Sequence, residues 1–308
     1  MPIIPKHYLN RGWKWYASIP LMALRVLFRK PKALRLIKWR AIQNQPRRDV
    51  TIKTKNGVLT VDSGDHGIGA RLFIDREYEL DYLESSLRVL RKHGLADRAG
   101  TFLDIGANIG MMAIGTLKHE LFQKAIAIEP GPNNFRLLKL NAAQNNMADR
   151  LTCYHYALSS KPGTMELEIS DENCGDNRLR VNGIERQGEI VSVDVTTLDH
   201  LSTQNPDVFD GVSVIWLDIQ GHEGYFFQGA GKFLSANPVP IVCEVWPHGI
   251  DYAGMTPDEY IASIPSIYSQ FYLLRNNHAE LLKISKLRDI FTEHQDDTDD
   301  EQIILMPM

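Results

Sequence analysis

Cysteine is scarce: Cys153, Cys174 and Cys243 are the only three, an odd number with no C-x-x-C spacing. That excludes a disulfide framework or a thiolate zinc site and fits a reducing compartment. There is no apolar run of the ~20 residues that a membrane span needs. The best stretch, Ile19 to Phe28, is broken by Arg25 and lacks the small-residue cleavage site of a signal peptide. No H-x-x-x-H or similar spacing points to a bound metal, so none is expected. Asp218, Glu244 and His248 could gather at one edge, but without such a spacing. The G-x-G-x-x-G of dinucleotide folds is also missing, which argues against an NAD-linked enzyme. Internal repeats and low-complexity tracts are absent too.

Acid is missing from residues 1–48, which hold twelve Lys and Arg. The rest of the chain keeps 22 basic against 38 acidic residues, a net of −16. Within this basic leader Trp13, Tyr16, Ala17, Leu21, Leu24, Leu27 and Phe28 recur at helical spacing, and Leu34, Ile37 and Ala41 continue the stripe. Two readings stand. The stripe lies on a membrane surface, or it packs on the protein's own body or a second subunit. An acidic body offers nucleic acid no extended basic face, so nucleic acid is not an expected partner. The expected location is cytoplasmic, free or peripheral at the inner face of the membrane.

What is present centres on Thr101 to Gly110, TFLDIGANIG. Thr101, Phe102, Leu103 and Ile105 suit a covered parallel strand. Gly106 and Gly110 permit a tight turn, and good helix formers follow from Met111 to Glu120. The pattern is D-x-G-x-x-x-G. Asp104 ahead of the turn would repel an anion and favour a ligand with an ammonium and a sulfonium, which S-adenosylmethionine carries. A second strand, Lys124 to Ile128, ends at Glu129, placed to accept hydrogen bonds from ribose hydroxyls.

In chain order, residues 50–75 read as a small β lead-in with an Asn56-Gly57 hairpin signal. Ile74 to Leu95 reads as one helix burying Tyr78, Leu80, Tyr82, Leu83, Leu87 and Leu90. Glu79 and Asp81 read as solvated charges, with the edge of the cofactor crevice as the alternative for Glu79. From residue 101 strands and helices alternate, which predicts a parallel sheet with helices on both faces. The helix from Pro132 to Asn145 turns Phe135, Leu137, Leu138 and Leu140 inward or partly inward. Its Asn141 and Asn145 either tie it to the next loop or cap its end. A third strand, Leu151 to Ser159, would bring Tyr156 and Ala157 beside the base of a nucleoside. Residues 160–197 are a β insertion whose Gly/Asn/Asp-rich loop, 171–188, is a candidate substrate lid. Asn177 and Arg178 there could contact an acceptor or simply be exposed. Val212 to Leu217 and Val239 to Val245 are further strands leading to acids, Asp218 and Glu244. Phe271–Leu274 and Gln302–Pro307 read as a closing antiparallel pair, and the acidic run Asp296–Glu301 as a solvated loop.

FLDIGANIGMMAI, AIEPGPNNFRLLKLNAAQNN, TLDHL at 197–201, WLDIQGHEGYFFQGA and IVCEVWP, in that order, resemble the FkbM-type S-adenosylmethionine-dependent methyltransferases over roughly residues 75–307. The resemblance implies a Rossmann-like, seven-stranded, mostly parallel α/β sheet whose last strand is antiparallel. It implies methyl transfer, most often to a hydroxyl of a sugar, glycan or other small-molecule acceptor. Asp104, Gly106, Asn108 and Gly110 correspond to the cofactor loop and Glu129 to the ribose-binding acid. Asp218, Gly221 and Glu223 correspond to a D-x-E-G-x-E stretch, where Gln220 replaces the glutamate. The expected division is a basic helical leader, 1–48, and a methyltransferase body, 49–308. Expected cofactor contacts are Asp104, Gly106, Asn108, Gly110, Glu129, Ala157 and Asp218. An acceptor alcohol must lose its proton, and Asp218, His222 and Glu244 are the leading candidates, with His248 behind them. A non-catalytic cofactor-binding or membrane-surface protein is the alternative, because Gln220 removes a charge near the methyl donor. Homo-oligomerisation through the leader is a further expectation.

Overall fold

The computed structural model describes residues 31–181, 188–275, 278–294 and 299–308. Most of the leader's apolar stripe therefore lies outside the described residues. Its last part is the helix Pro31–Gln43, with Trp39 only 1% exposed and its ring 5.0 Å from that of Phe73. Lys32 pairs with Asp75 at 2.7 Å. This part of the leader packs on the protein's own body through Trp39, while Ile37 and Ala41 of the stripe stay exposed. No described helix is long and apolar enough to cross a membrane.

The lead-in is the hairpin β1 (Asp49–Lys53) and β2 (Val58–Asp62), paired antiparallel. Its turn residue Asn56 is fully buried. The Asn56 side chain accepts from the Tyr78 N–H at 2.9 Å and donates to the Tyr78 and Met111 carbonyls. The hairpin turn thereby fixes the segment that carries Glu79. Asn145 caps its helix, its Nδ2 donating to the Asn141 carbonyl at 2.8 Å, and both asparagines also reach the hairpin. Asn141 Oδ1 accepts from Thr60 N–H at 2.6 Å, and Asn145 Oδ1 accepts from Val58 N–H at 2.9 Å. Their amides return hydrogen bonds to the same two residues' carbonyls. Two side chains on the helix Pro132–Gln144 thus take the place of a neighbouring strand beside β2.

The expected helix over 74–95 is two helices, Ile68–Asp75 and Leu80–Lys92. The break comes at Arg76 and Glu79, which hold φ of 66° and 54°. Leu80, Leu83, Leu87 and Leu90 form the buried stripe at helical spacing. Tyr82 falls off that stripe and is exposed, as is Leu140 on its own helix.

The strands that follow are β3 (Thr101–Ile105), β4 (Lys124–Ile128), β5 (Leu151–Tyr154), β6 (Ala157–Leu158), β7 (Gly163–Ile169), β8 (Arg178–Leu179) and β9 (Glu189–Thr196). After them come β10 (Val212–Leu217), β11 (Ile241–Val245), β12 (Gln270–Arg275), β13 (His278–Lys283) and β14 (Glu301–Met306). The central sheet runs β13-β12-β14-β11-β10-β3-β4-β5. Strands β11, β10, β3, β4 and β5 are mutually parallel, and β14 is antiparallel to β11. The last strand is antiparallel as expected. The sheet has eight strands rather than seven because the chain doubles back after β12 and adds β13 at the edge.

Alternation along the strands supplies both faces. Phe102, Ala125, Val214 and Trp216 join one buried cluster, with the helices after Gly110 and Pro132. Leu103, Ile126, Ile215 and Ile241 join the other. The third strand ends early: Ala157 and Leu158 leave the main sheet and pair with β9 in a separate sheet of order β6-β9-β7-β8. Strands β7, β8 and β9 of that sheet fall within 160–197, and β6 lies just before it.

Candidate active site

Strand order reverses between β3 and β10, and such a switch point opens a crevice at the strand carboxyl ends. Here it holds a cavity of about 270 Å³. Of the expected cofactor contacts, Asp104, Gly106, Asn108, Glu129, Ala157 and Asp218 line it. Gly106 makes the crossing possible. Its φ is 82°, and a Cβ there would lie 1.8 Å from the Asp218 carbonyl oxygen. Gly106→Ala should cost about 3 to 5 kcal/mol, from left-handed strain plus overlap with backbone that cannot move. Urea unfolding checks this; a loss under about 1 kcal/mol would contradict the geometry. Gly110 is the exception among the expected contacts. It starts the helix Met111–Lys118 with φ 89°, and a Cβ there would meet Leu138, so it serves packing rather than lining the cavity.

Six carboxyl groups line the cavity, from Glu79, Asp104, Glu129, Asp218, Glu244 and Asp300, against one basic side chain, Arg71. Asp104 shares the strand face of Phe102, so its side chain is pressed under the following helix. It is 1% exposed, and its Oδ2 accepts from the Ala113 N–H at 3.0 Å. Oδ1 accepts no hydrogen bond among the described residues. Burial pushes this carboxyl up to about 8. Glu129 is held differently. Its two oxygens accept from the Asn108 and Gly131 N–H groups at 2.8 and 2.7 Å, which fixes both loops around it. Burial still raises it to about 7.

Asp218 and Glu244 come together at the same end. Burial raises both, with Asp218 adding to the rise at Glu244. Gln220, at φ 57°, donates from Nε2 to Asp218 Oδ1 at 2.8 Å. The Gln220 amide thus gives Asp218 a donor where a carboxylate would oppose it. Glu223 is buried behind this turn and caps it: Oε1 accepts from the Ile219 and Gly221 N–H groups at 3.1 and 3.3 Å. Glu79 is not a solvated charge. It lines the cavity, and burial together with Asp218 pushes it up to about 7. Asp300 stays exposed in the acidic loop and also borders the cavity; residues 295–298 lie outside the described residues.

The insertion loop sits across the opening. The Cys174 carbonyl accepts from both Asn108 Nδ2 and Asn134 Nδ2 at 2.9 Å, and the His66 N–H donates to the Glu172 carbonyl at 2.7 Å. Asn173, Cys174, Gly175 and Asn177 line the cavity beside Tyr156 and Ala157. Arg178 does not: it is buried, paired with Asp176 and stacked 4.1 Å over the Trp246 ring. Residues 182–187 of the loop lie outside the described residues.

His222 does not join the other candidates. It lies outside the cavity lining, 3% exposed, with Nε2 2.9 Å from Ser159 Oγ and its ring stacked on Tyr225. Burial lowers it to about 4, so it stays neutral at physiological pH. His222→Gln should lower stability by about 1 to 3 kcal/mol, the cost of disturbing a buried polar pair, and leave the pH profile of turnover unmoved. A displaced profile would put the ring back in the chemistry. His248 is exposed near Trp246. Among the described residues the one trio of close potential metal ligands is Glu293, His294 and Glu301, and Arg275 already pairs with both glutamates.

The residues present fit S-adenosylmethionine. A cavity rich in buried carboxyl groups, one of them with an oxygen free of hydrogen bonds, suits a cation, and Glu129 stands at the end of the neighbouring strand. Sheet order, switch-point cavity and acid pair together define the Rossmann-like methyltransferases. The model of the methyltransferase FkbM domain matches residues 104–271, and the chain belongs to that family of S-adenosylmethionine-dependent methyltransferases. A search of curated proteins finds no match. Among solved structures, the chain is similar to a methyltransferase FkbM from Methylobacillus flagellatus KT, at 18% identity and TM-score 0.43. That likeness covers 77% of this chain and 52% of the other, so the chain spans about half the length of that relative. It is also similar to TYW2 of P. horikoshii, solved with MeSAdo, at 14% identity, TM-score 0.32, and 70% and 59% coverage. TrmK of M. capricolum, solved with S-adenosylhomocysteine, gives 8% identity, TM-score 0.32, and 71% and 67% coverage.

Proposed function

We propose that the chain methylates a hydroxyl group of a small-molecule or glycan acceptor. Bound S-adenosylmethionine supplies the methyl group. The supporting observation is that Arg71, Glu79, Glu244 and Asp300 line both the cofactor cavity and a second groove of about 740 Å³. An acceptor in that groove would present its hydroxyl to carboxyl groups at the cavity mouth. Glu79, held near 7, is suited to take the hydroxyl proton, since a base works best with a pKa near the working pH. Glu244, which burial and the neighbouring Asp218 raise well above the usual carboxylate range, faces the same hydroxyl as a hydrogen-bond partner. Asp218, with Gln220 as its donor, orients the same group. The insertion loop excludes water and holds the two substrates in line. Gln220 has a partner and a task, which weakens the non-catalytic alternative.

The test is transfer of isotope-labelled methyl from S-adenosylmethionine to a panel of saccharides and small alcohols by the full chain. Label recovered as an ether supports the reading. Label only on nitrogen, or tight cofactor binding with no transfer to any member, would overturn it.

A further inference from the structure

We infer that the groove between the helix Leu80–Lys92 and the β12–β13 hairpin is the acceptor subsite, and that it selects an oligosaccharide-length acceptor carrying an anionic group, phosphate or carboxylate, remote from its reacting hydroxyl. The inference rests on the hydroxyl-methylation reading and names the substrate class. The groove has two chemically different ends. Its inner end is shared with the cofactor cavity and carries three acids, Glu79, Glu244 and Asp300, with one cation, Arg71. Its outer end carries Arg88 and Lys92, one helical turn apart on the same exposed face.

Neither Arg88 nor Lys92 has an ion-pair partner among the described residues. Arg275, in the same groove, is paired with Glu293 and Glu301. Two unpaired cations side by side are conspicuous on a body whose net charge beyond residue 48 is −16. Acids at the inner end accept hydrogen bonds from hydroxyls, and cations at the outer end take an anion through charge-assisted hydrogen bonds. Arg88 lies nine positions and Lys92 thirteen positions beyond Glu79, about 13 to 20 Å along the helix axis at 1.5 Å per residue. A monosaccharide phosphate is too short to reach both ends. A bare polyanion is also a poor occupant, because it offers the inner carboxyl groups no hydroxyl to bond.

The probes are maltotriose, trigalacturonic acid, inorganic tripolyphosphate and a 12-residue oligouridylate, each titrated calorimetrically into the full chain with and without S-adenosylhomocysteine. Trigalacturonic acid should bind at least tenfold more tightly than maltotriose. Tripolyphosphate should compete with trigalacturonic acid for the outer end and bind more weakly, because it offers the inner end no hydroxyl. Arg88→Gln with Lys92→Gln should weaken the charged probes about tenfold and leave maltotriose and S-adenosylhomocysteine unchanged. Equal affinity for maltotriose and trigalacturonic acid would overturn the inference, as would indifference to the double substitution. So would tighter binding of oligouridylate than of trigalacturonic acid through the same two side chains. Failure to bind S-adenosylhomocysteine would instead overturn the cofactor reading, and the arm without it still decides the groove.

Discussion

Asp104→Asn should lower affinity for S-adenosylmethionine about 10- to 100-fold without destabilising the free protein at pH 8. A charged hydrogen-bond partner contributes roughly 1.5–3 kcal/mol, and each ~1.4 kcal/mol is a factor of ten in affinity. The stability half follows from burial. Asp104 titrates near 8 in the fold against an ordinary value of 3.8, so between those limits the folded chain holds a proton that the unfolded chain has released. Stability therefore falls as pH rises from about 4 to about 8. Asparagine cannot ionise and still offers an oxygen to the Ala113 N–H, so it escapes that loss. A bound cation favours the ionised acid, so cofactor binding should release protons and tighten from pH 6 to 7.5. Thermal unfolding across pH and calorimetry in buffers of different ionisation enthalpy measure both effects. A variant that binds as tightly as the parent would remove Asp104 from the cofactor site.

Glu79→Gln should reduce kcat about 10²- to 10⁴-fold, the usual range for a lost general base, with cofactor affinity nearly unchanged. In the parent, kcat should climb as pH passes through about 7, where Glu79 gives up its proton, and then level off. In the variant that rise should vanish. The backbone agrees with a functional role: Glu79 holds φ 54°, a conformation that a non-glycine side chain adopts at some cost and that is concentrated at functional sites. Asn56 maintains it through both backbone groups of Tyr78. A variant with an unaltered pH profile and near-normal kcat would move the proton-accepting role to another group, Asp218 first.

The sheet and most of the cofactor loop were legible because they rest on local pattern. Thr101–Ile105 and Lys124–Ile128 are short runs that only a covered strand accommodates, and the acids after them stand where the chain must turn. What stayed hidden depends on distant partners. Glu79 follows Tyr78 in a stretch of helical periodicity, and contacts from the distant hairpin turn, Asn56 on Tyr78 and the Lys55 N–H on the Arg76 carbonyl, break that helix. Asp300 is exposed, as a residue of an acidic loop would be, and the pairing of β14 with β11 and β12 brings it to the cavity as well. His222 lies apart from the cavity because proximity in sequence to Asp218 says nothing about side-chain direction. The helix beginning at Glu223 turns its ring inward toward Ser159. Asn141 and Asn145 had the right spacing to act together, but their partners at Thr60 and Val58 lie more than eighty positions earlier. One signal was available for Glu79: it sits directly before Leu80, the first residue of the apolar stripe, where a helix would begin rather than continue.

The most direct measurement is diffraction from crystals of the full chain grown with S-adenosylhomocysteine. The expected result is a nucleoside between β3 and β4, with ribose hydroxyls on Glu129, the base beside Tyr156 and Ala157, and the amino-acid end near Asp104. A ligand seated elsewhere, or a cavity that excludes it at saturating concentration, would contradict the placement on which everything above rests.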